Sequence, residues 1–153
     1  MKHRVLLTPL LSLLIWLPST LLSAEDNLVR RLTSRYEGKV YEFTVMQSDL
    51  DAAPVWPEGD QNPPLSPRSA LDAAREYVAR AVQDSNRWTV SKICLESSGQ
   101  KPGRWLYVVE FTSFPNRDQV LLGPGHSFGI PVLMNRSVVE PKITLAKYPK
   151  SNE

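Results

Sequence analysis

Cysteine and histidine are nearly missing from this chain: of 153 residues, one is Cys (Cys94) and two are His. A single thiol excludes a disulfide framework within the chain. Past residue 24 the only histidine is His126, far in sequence from Cys94. A zinc site draws three or four His, Cys or carboxylate ligands from close positions, and this chain does not offer them. There is also no D-x-D-x-D-G run to form a calcium loop. Hydrophobic runs are short. The main one, residues 5–17, is about 13 residues long and holds Thr8, Pro9 and Ser12, whereas a membrane-spanning helix takes ~20 apolar residues. Blocks of one charge sign are lacking too, so nucleic acid and anionic membrane surfaces find no basic footprint.

What is present at the start has the order of a secretory signal. Lys2 and Arg4 precede the apolar run, Pro18 breaks it, and small residues lead to Ala24. Residues 1–24 are therefore expected to be a signal peptide cleaved after Ala24. The competing reading is an uncleaved anchor, should the helix continue through Leu21 and Leu22. Cleavage removes Lys2 and Arg4, so the 18 basic residues fall to 16 against 16 acidic ones, and the formal charge of +2 falls to zero. The 42% hydrophobic content is too high for a disordered chain, the length suits one domain, and no segment repeats at a solenoid period.

Residues 25–65 are expected to be an N-terminal arm, a strand and a Pro-rich loop. In residues 26–36, Leu28, Val29 and Leu32 suggest a short amphipathic helix or an extended arm ended by Gly38. Residues 40–46 alternate Tyr41, Phe43 and Val45 with Glu42 and Thr44, the pattern of a strand with one buried face. Residues 49–65 hold Pro54, Pro57, Pro63 and Pro64 among acidic side chains, which predicts a loop without regular structure. Trp56 stands out there, as a clasp tucked onto the fold or as an exposed anchor for a partner. The carboxylate pairs Asp49/Asp51 and Glu58/Asp60 read as solvated charge.

Residues 66–146 are expected to form the core, and 147–153 a loose polar tail. Ser66-Pro67 opens the clearest element, because a Ser hydroxyl accepts an orphan backbone N–H and Pro suits the first helical position. Ala70, Leu71, Ala74, Tyr77, Val78, Ala81 and Val82 then recur at helical spacing. A helix over 67–83 would run about 25 Å, with an Ala-rich stripe able to lie close to a sheet. Residues 88–96 read as a strand whose apolar phase slips near Ser91-Lys92, the signature of a bulge. Residues 104–114 are apolar on both faces and so belong at the centre of a sheet. Residues 128–134 and 138–145 read as a hairpin around Asn135-Arg136. Pro131 and Pro141 cannot donate to a ladder and mark edges or strand ends.

Gly125-His126-Ser127-Phe128-Gly129 matches G-x-S-x-G, the nucleophile elbow of serine hydrolases. An elbow requires a strand before the Ser, a helix after it and a downstream His. Here Ile130-Pro131-Val132 reads as strand and no His follows, so a small serine hydrolase using Ser127 is the weakest of the alternatives. Cys94 lies between Ile93 and Leu95 and is expected to be buried rather than paired with another chain. Asn135-Arg136-Ser137 is a glycosylation sequon, of consequence only in a eukaryotic secretory pathway.

The run Ser66-Pro67-Arg68-Ser69-Ala70-Leu71-Asp72-Ala73-Ala74, then 105–111, then 132–139 resembles PepSY-like domains of secreted bacterial proteins and, more loosely, cystatin-like helix-on-sheet folds. The resemblance covers about half the chain and contains no catalytic motif. It implies a non-enzymatic module that binds a protein or peptide outside the cytoplasm, sometimes restraining a peptidase. The expected architecture is α+β, with one main helix on a curled antiparallel sheet of four to five strands. No cofactor, metal, nucleic acid or stable membrane insertion is expected. The expected partner is a secreted or periplasmic protein or peptide, with peptidase inhibition as the alternative activity. Candidate contact residues are Trp56 in the Pro-rich loop and His126 and Phe128 at the end of the next long loop, because loops on a rigid sheet carry recognition.

Overall fold

The computed structural model describes residues 27–113 and 126–146. The expected signal peptide 1–24, the loop 115–125 and the tail 147–153 lie outside those residues.

The first element, β1 (Leu28–Tyr36), is a strand. Its sequence resembles a helical stripe because a bulge between Leu28 and Arg30 shifts the phase, and because its most buried position is the polar Ser34. A two-residue turn, Glu37-Gly38, with φ of 47° and 71°, leads into β2 (Lys39–Met46). Positive φ at both positions is the mirror-image turn whose twist suits a hairpin, and Gly38 takes it at no steric cost. Along β2 the expected alternation holds, with Tyr41, Phe43 and Val45 buried.

The segment expected to lack regular structure begins with a short helix, α1 (Gln47–Asp51). Asp49 makes it possible: its carboxylate accepts the Met46 N–H at 2.8 Å, satisfying a donor at the helix start. The main helix, α2 (Pro67–Ala81), opens as expected, with the Ser66 hydroxyl accepting the Ser69 N–H at 3.1 Å. It stops two residues short of the expected end. Val82 turns into extended backbone and is buried, and Asp84 is left-handed at φ 52°. A single 3-10 turn, Ser85–Arg87, follows.

Three strands come next: β3 (Trp88–Ser97), β4 (Trp105–Ser113) and β5 (His126–Leu133). The β3–β4 register slips between Val90 and Lys92, at the expected bulge. β4 is the middle strand, and Leu106, Tyr107, Val108 and Val109 are all buried, so both of its faces are covered. Pro131 lies on the edge strand β5, where its missing N–H breaks no pair with β4.

The expected architecture fails at the C-terminal end. Strand accounts for 45% and helix for 21% of the described residues, so the molecule is mostly β. Its strands form two three-stranded antiparallel sheets, ordered β1-β2-β6 and β3-β4-β5, in place of one sheet of four to five strands. The cause is local. After β5 the chain turns through Leu133–Ser137, with Arg136 left-handed at φ 71°, and pairs back only at Val132–Val138. Pro131 has no N–H to extend that ladder, and Pro141 interrupts the returning strand. The last strand, β6 (Lys142–Leu145), instead takes the open edge of β2, with Tyr41 opposite Ile143. Ile143 and Leu145 remain exposed on it.

The two sheets meet where β1 faces the outer edge of β5. The Gly129 N–H, which points away from β4, donates to the Ser34 hydroxyl at 3.2 Å. This explains a buried serine on an otherwise apolar face. Helix α2 packs on β4 and β5, its buried Ala70, Ala73 and Ala74 allowing a close approach.

The core centres on Phe128, which is wholly buried. Its ring lies 4.9 Å from Tyr41, 5.8 Å from Phe43, 5.8 Å from Trp88 and 6.5 Å from Tyr77. Those partners come from β2, β3 and α2, so one side chain joins both sheets to the helix. Burial of Tyr77, with the Glu140 carboxylate adding to it, pushes the phenol up to about 12. Phe128→Ala is expected to cost about 3–5 kcal/mol in urea unfolding, a large share of a typical ~5–15 kcal/mol stability. A loss below 1 kcal/mol would mean the ring is not the junction described.

Candidate functional site

The Pro-rich loop is fastened to the turn between β3 and β4, and the space between them is the site. Three contacts fasten it. The Trp56 N–H donates to the Gly103 carbonyl at 2.9 Å, and the Trp56 and Trp105 rings meet at 5.4 Å with 58° between their planes. Arg104 supplies the third. Its Nη1 donates to the carbonyls of Leu50 at 2.9 Å and Ala53 at 2.7 Å, at the C-terminal end of α1. A cation there adds a second donor to the Leu50 carbonyl, which already accepts the Ala53 N–H at 3.2 Å, and complements the helix dipole.

Asp51 lies between two cations. Lys101 Nζ is 2.6 Å from Asp51 Oδ2, Arg104 Nε is 3.5 Å from Oδ1, and Gln47 Nε2 donates to Oδ1 at 3.0 Å. The hydrogen bond from Lys101, then that from Gln47, holds the Asp51 carboxyl below its ordinary value of 3.8. The pair Asp49/Asp51, expected to be plain solvated charge, is thus structural: one residue caps α1 and the other ties it to the β3–β4 turn.

Gly103 lets the two walls meet. Its φ is +71°, and a Cβ there would lie 2.8 Å from Val55 Cγ1 and 3.0 Å from the Trp56 carbonyl oxygen. On the other wall, the Asp60 N–H returns to the Pro57 carbonyl at 3.2 Å, closing a turn with Gly59 at φ +104°. Trp56 Nε1 donates to the Asp60 carbonyl at 3.1 Å, which locks the indole to that turn.

Together these walls enclose a groove of about 720 Å³ with Trp56 and Trp105 lining it, Glu58 and Asp60 on one side and Gln100 and Lys101 on the other. That volume is within the ~300–1,000 Å³ of ordinary ligand clefts. Both indoles are half-buried, so each is anchored and still presents surface to the groove.

The expected contact residues are not gathered in one place. Trp56 is the clasp the sequence suggested, and its remaining surface lines the groove. His126 is exposed at the far end of the second sheet, paired across from Ser113, with its ring 5.6 Å from Tyr36. Trp105 and Ser113 end the same strand, so at 3.4 Å per residue the groove and His126 are roughly 27 Å apart. Phe128 is the centre of the core and offers no surface to a partner. Ser127 lies within β5 and is followed by more strand, so the strand–turn–helix of a nucleophile elbow is not formed. Neighbouring strand residues point to opposite faces, which turns His126 away from Ser127. Cys94 is half-buried on β3.

Among the described residues no group of three or more His, Cys, Asp or Glu could hold a metal, and no helix is long and apolar enough to cross a membrane. Comparison with known protein families, curated proteins and solved structures yields no match.

Two measurements probe this fastening. Gly103→Ala is expected to cost more than about 1 kcal/mol through the positive φ alone, and to shift the near-UV Trp signal as Trp56 is displaced. An unchanged spectrum would detach Gly103 from the groove. The second is acid titration of Trp fluorescence. A depressed carboxylate stabilises the fold above its unfolded value and loses that contribution as pH falls through the folded one. Acidification below about pH 4 is therefore expected to loosen the loop, and Asp51→Asn to flatten that transition. A transition that persists in the variant would place its origin elsewhere.

Proposed function

We propose that this chain is a non-enzymatic binding module of an extracytoplasmic compartment, and that it holds a peptide or an exposed protein segment in the groove between the Pro-rich loop and the β3–β4 turn. The observation that carries this reading is the pair of half-buried tryptophans on a wall fixed by Arg104, Asp51 and Gly103. Rigid aromatic surface beside a cleft gives binding area at little conformational cost, and extended Pro-rich segments dock in such aromatic-lined grooves. The order of charged, apolar and small residues over 1–24 supports passage out of the cytoplasm.

A phage-displayed library of random heptapeptides, panned on the immobilised full chain and on its Trp56→Ala variant, tests the reading. Enrichment on the wild type, reduced at least tenfold on the variant, is expected. Equal enrichment on both would rule the groove out as the binding surface.

A further inference from the structure

The two walls of the groove differ in charge. On the β3–β4 side Lys101 is already committed, its ammonium 2.6 Å from Asp51. On the loop side, the turn closed by Asp60 carries Glu58 and Asp60, and neither carboxylate has an ion-pair partner among the described residues. The groove therefore presents two uncompensated acids beside two indoles. The Trp56 Nε1 bond to the Asp60 carbonyl keeps the acidic turn against the ring.

Carboxylates and indole faces select the same kind of group. A carboxylate attracts a cation by charge, and a tryptophan face attracts it through the ring quadrupole, more strongly for Trp than for other aromatics. The guanidinium is planar, weakly hydrated and forked, so it can stack on a ring and donate to a carboxylate at once, whereas an ammonium acts as a compact charge. An anionic or purely aliphatic segment would leave Glu58 and Asp60 unpaired at the edge of the site.

We infer that the groove takes a peptide segment through one basic side chain, arginine in preference to lysine, laid on the groove-facing surface of the Trp56–Trp105 pair and paired with Glu58 or Asp60. This rests on the peptide-binding reading above and narrows it to a partner chemistry. Glu58 and Asp60 are exposed, so exchanging them for amides leaves the fold intact. Asp60 bonds Trp56 through its backbone, which the exchange retains.

The test sequences the heptapeptides enriched on the full chain. It then titrates the best of them by Trp fluorescence, beside a copy in which citrulline, the neutral isostere, replaces arginine. A recurrent arginine or lysine is expected, with binding at least tenfold weaker for the citrulline copy and a further loss at high salt. The doubly substituted Glu58→Gln, Asp60→Asn chain is expected to narrow the difference between the two copies to what the indole faces alone supply. Enriched peptides without a basic residue, or equal binding of both copies to the wild type, would overturn this inference and leave the peptide groove standing. An absence of any Trp56-dependent enrichment would remove both.

Discussion

Phe128 is the side chain on which the two sheets and the helix converge. A small sheet needs an apolar face covered by a partner layer, and here the two sheets meet where β1 runs along the edge of β5 and where β2 side chains reach over it. Packing of Tyr41 and Phe43 from one sheet, Trp88 from the other and Tyr77 from α2 around one ring makes that partial contact cooperative. Edge-to-face geometry adds to the area buried, at ~0.5–1.5 kcal/mol for each pair. Once the core is set, the end of β4 bearing Trp105 is rigid, and the Pro-rich loop has something firm to close against.

The groove depends on a second, polar fastening. Arg104 joins residues about fifty positions apart in sequence, and its side chain is only 18% exposed. Hydrogen bonds from a charged donor contribute roughly 1.5–3 kcal/mol, more than surface ion pairs. The aromatic floor and the charged fastening have separate tasks. The first presents surface, and the second fixes how far the loop stands from the β3–β4 turn.

Much of the fold could be read from local chemistry. Ser66-Pro67 fixed where α2 begins, the phase slip near Ser91-Lys92 marked the β3 bulge, and the two apolar faces of residues 104–114 put β4 in the middle. The errors came where local pattern and long-range pairing conflict. For residues 26–36 a helix and an extended arm both fit the local pattern, because a bulge and a buried serine disguise the period of two of β1, and Glu37-Gly38 is a weaker turn signal than Asn-Gly. Sequence proximity favours pairing β6 with β5, yet its partner is β2. For the site, Trp56 was visible as an aromatic out of place. Arg104, Asp51 and Lys101 were not, since nothing in a sequence window brings a turn at 98–103 against a helix end at 51–53.

The pairing of β2 with β6 has a kinetic side. Lys39 and Leu145 are separated by roughly a hundred residues, so the first sheet cannot be completed until its last strand arrives. Contacts of such sequence separation raise contact order and slow folding, because loop-closure entropy is lost before any native bond forms. Until β6 arrives, the edge of β2 that it covers stays open, and an open strand edge is a template for pairing with another chain.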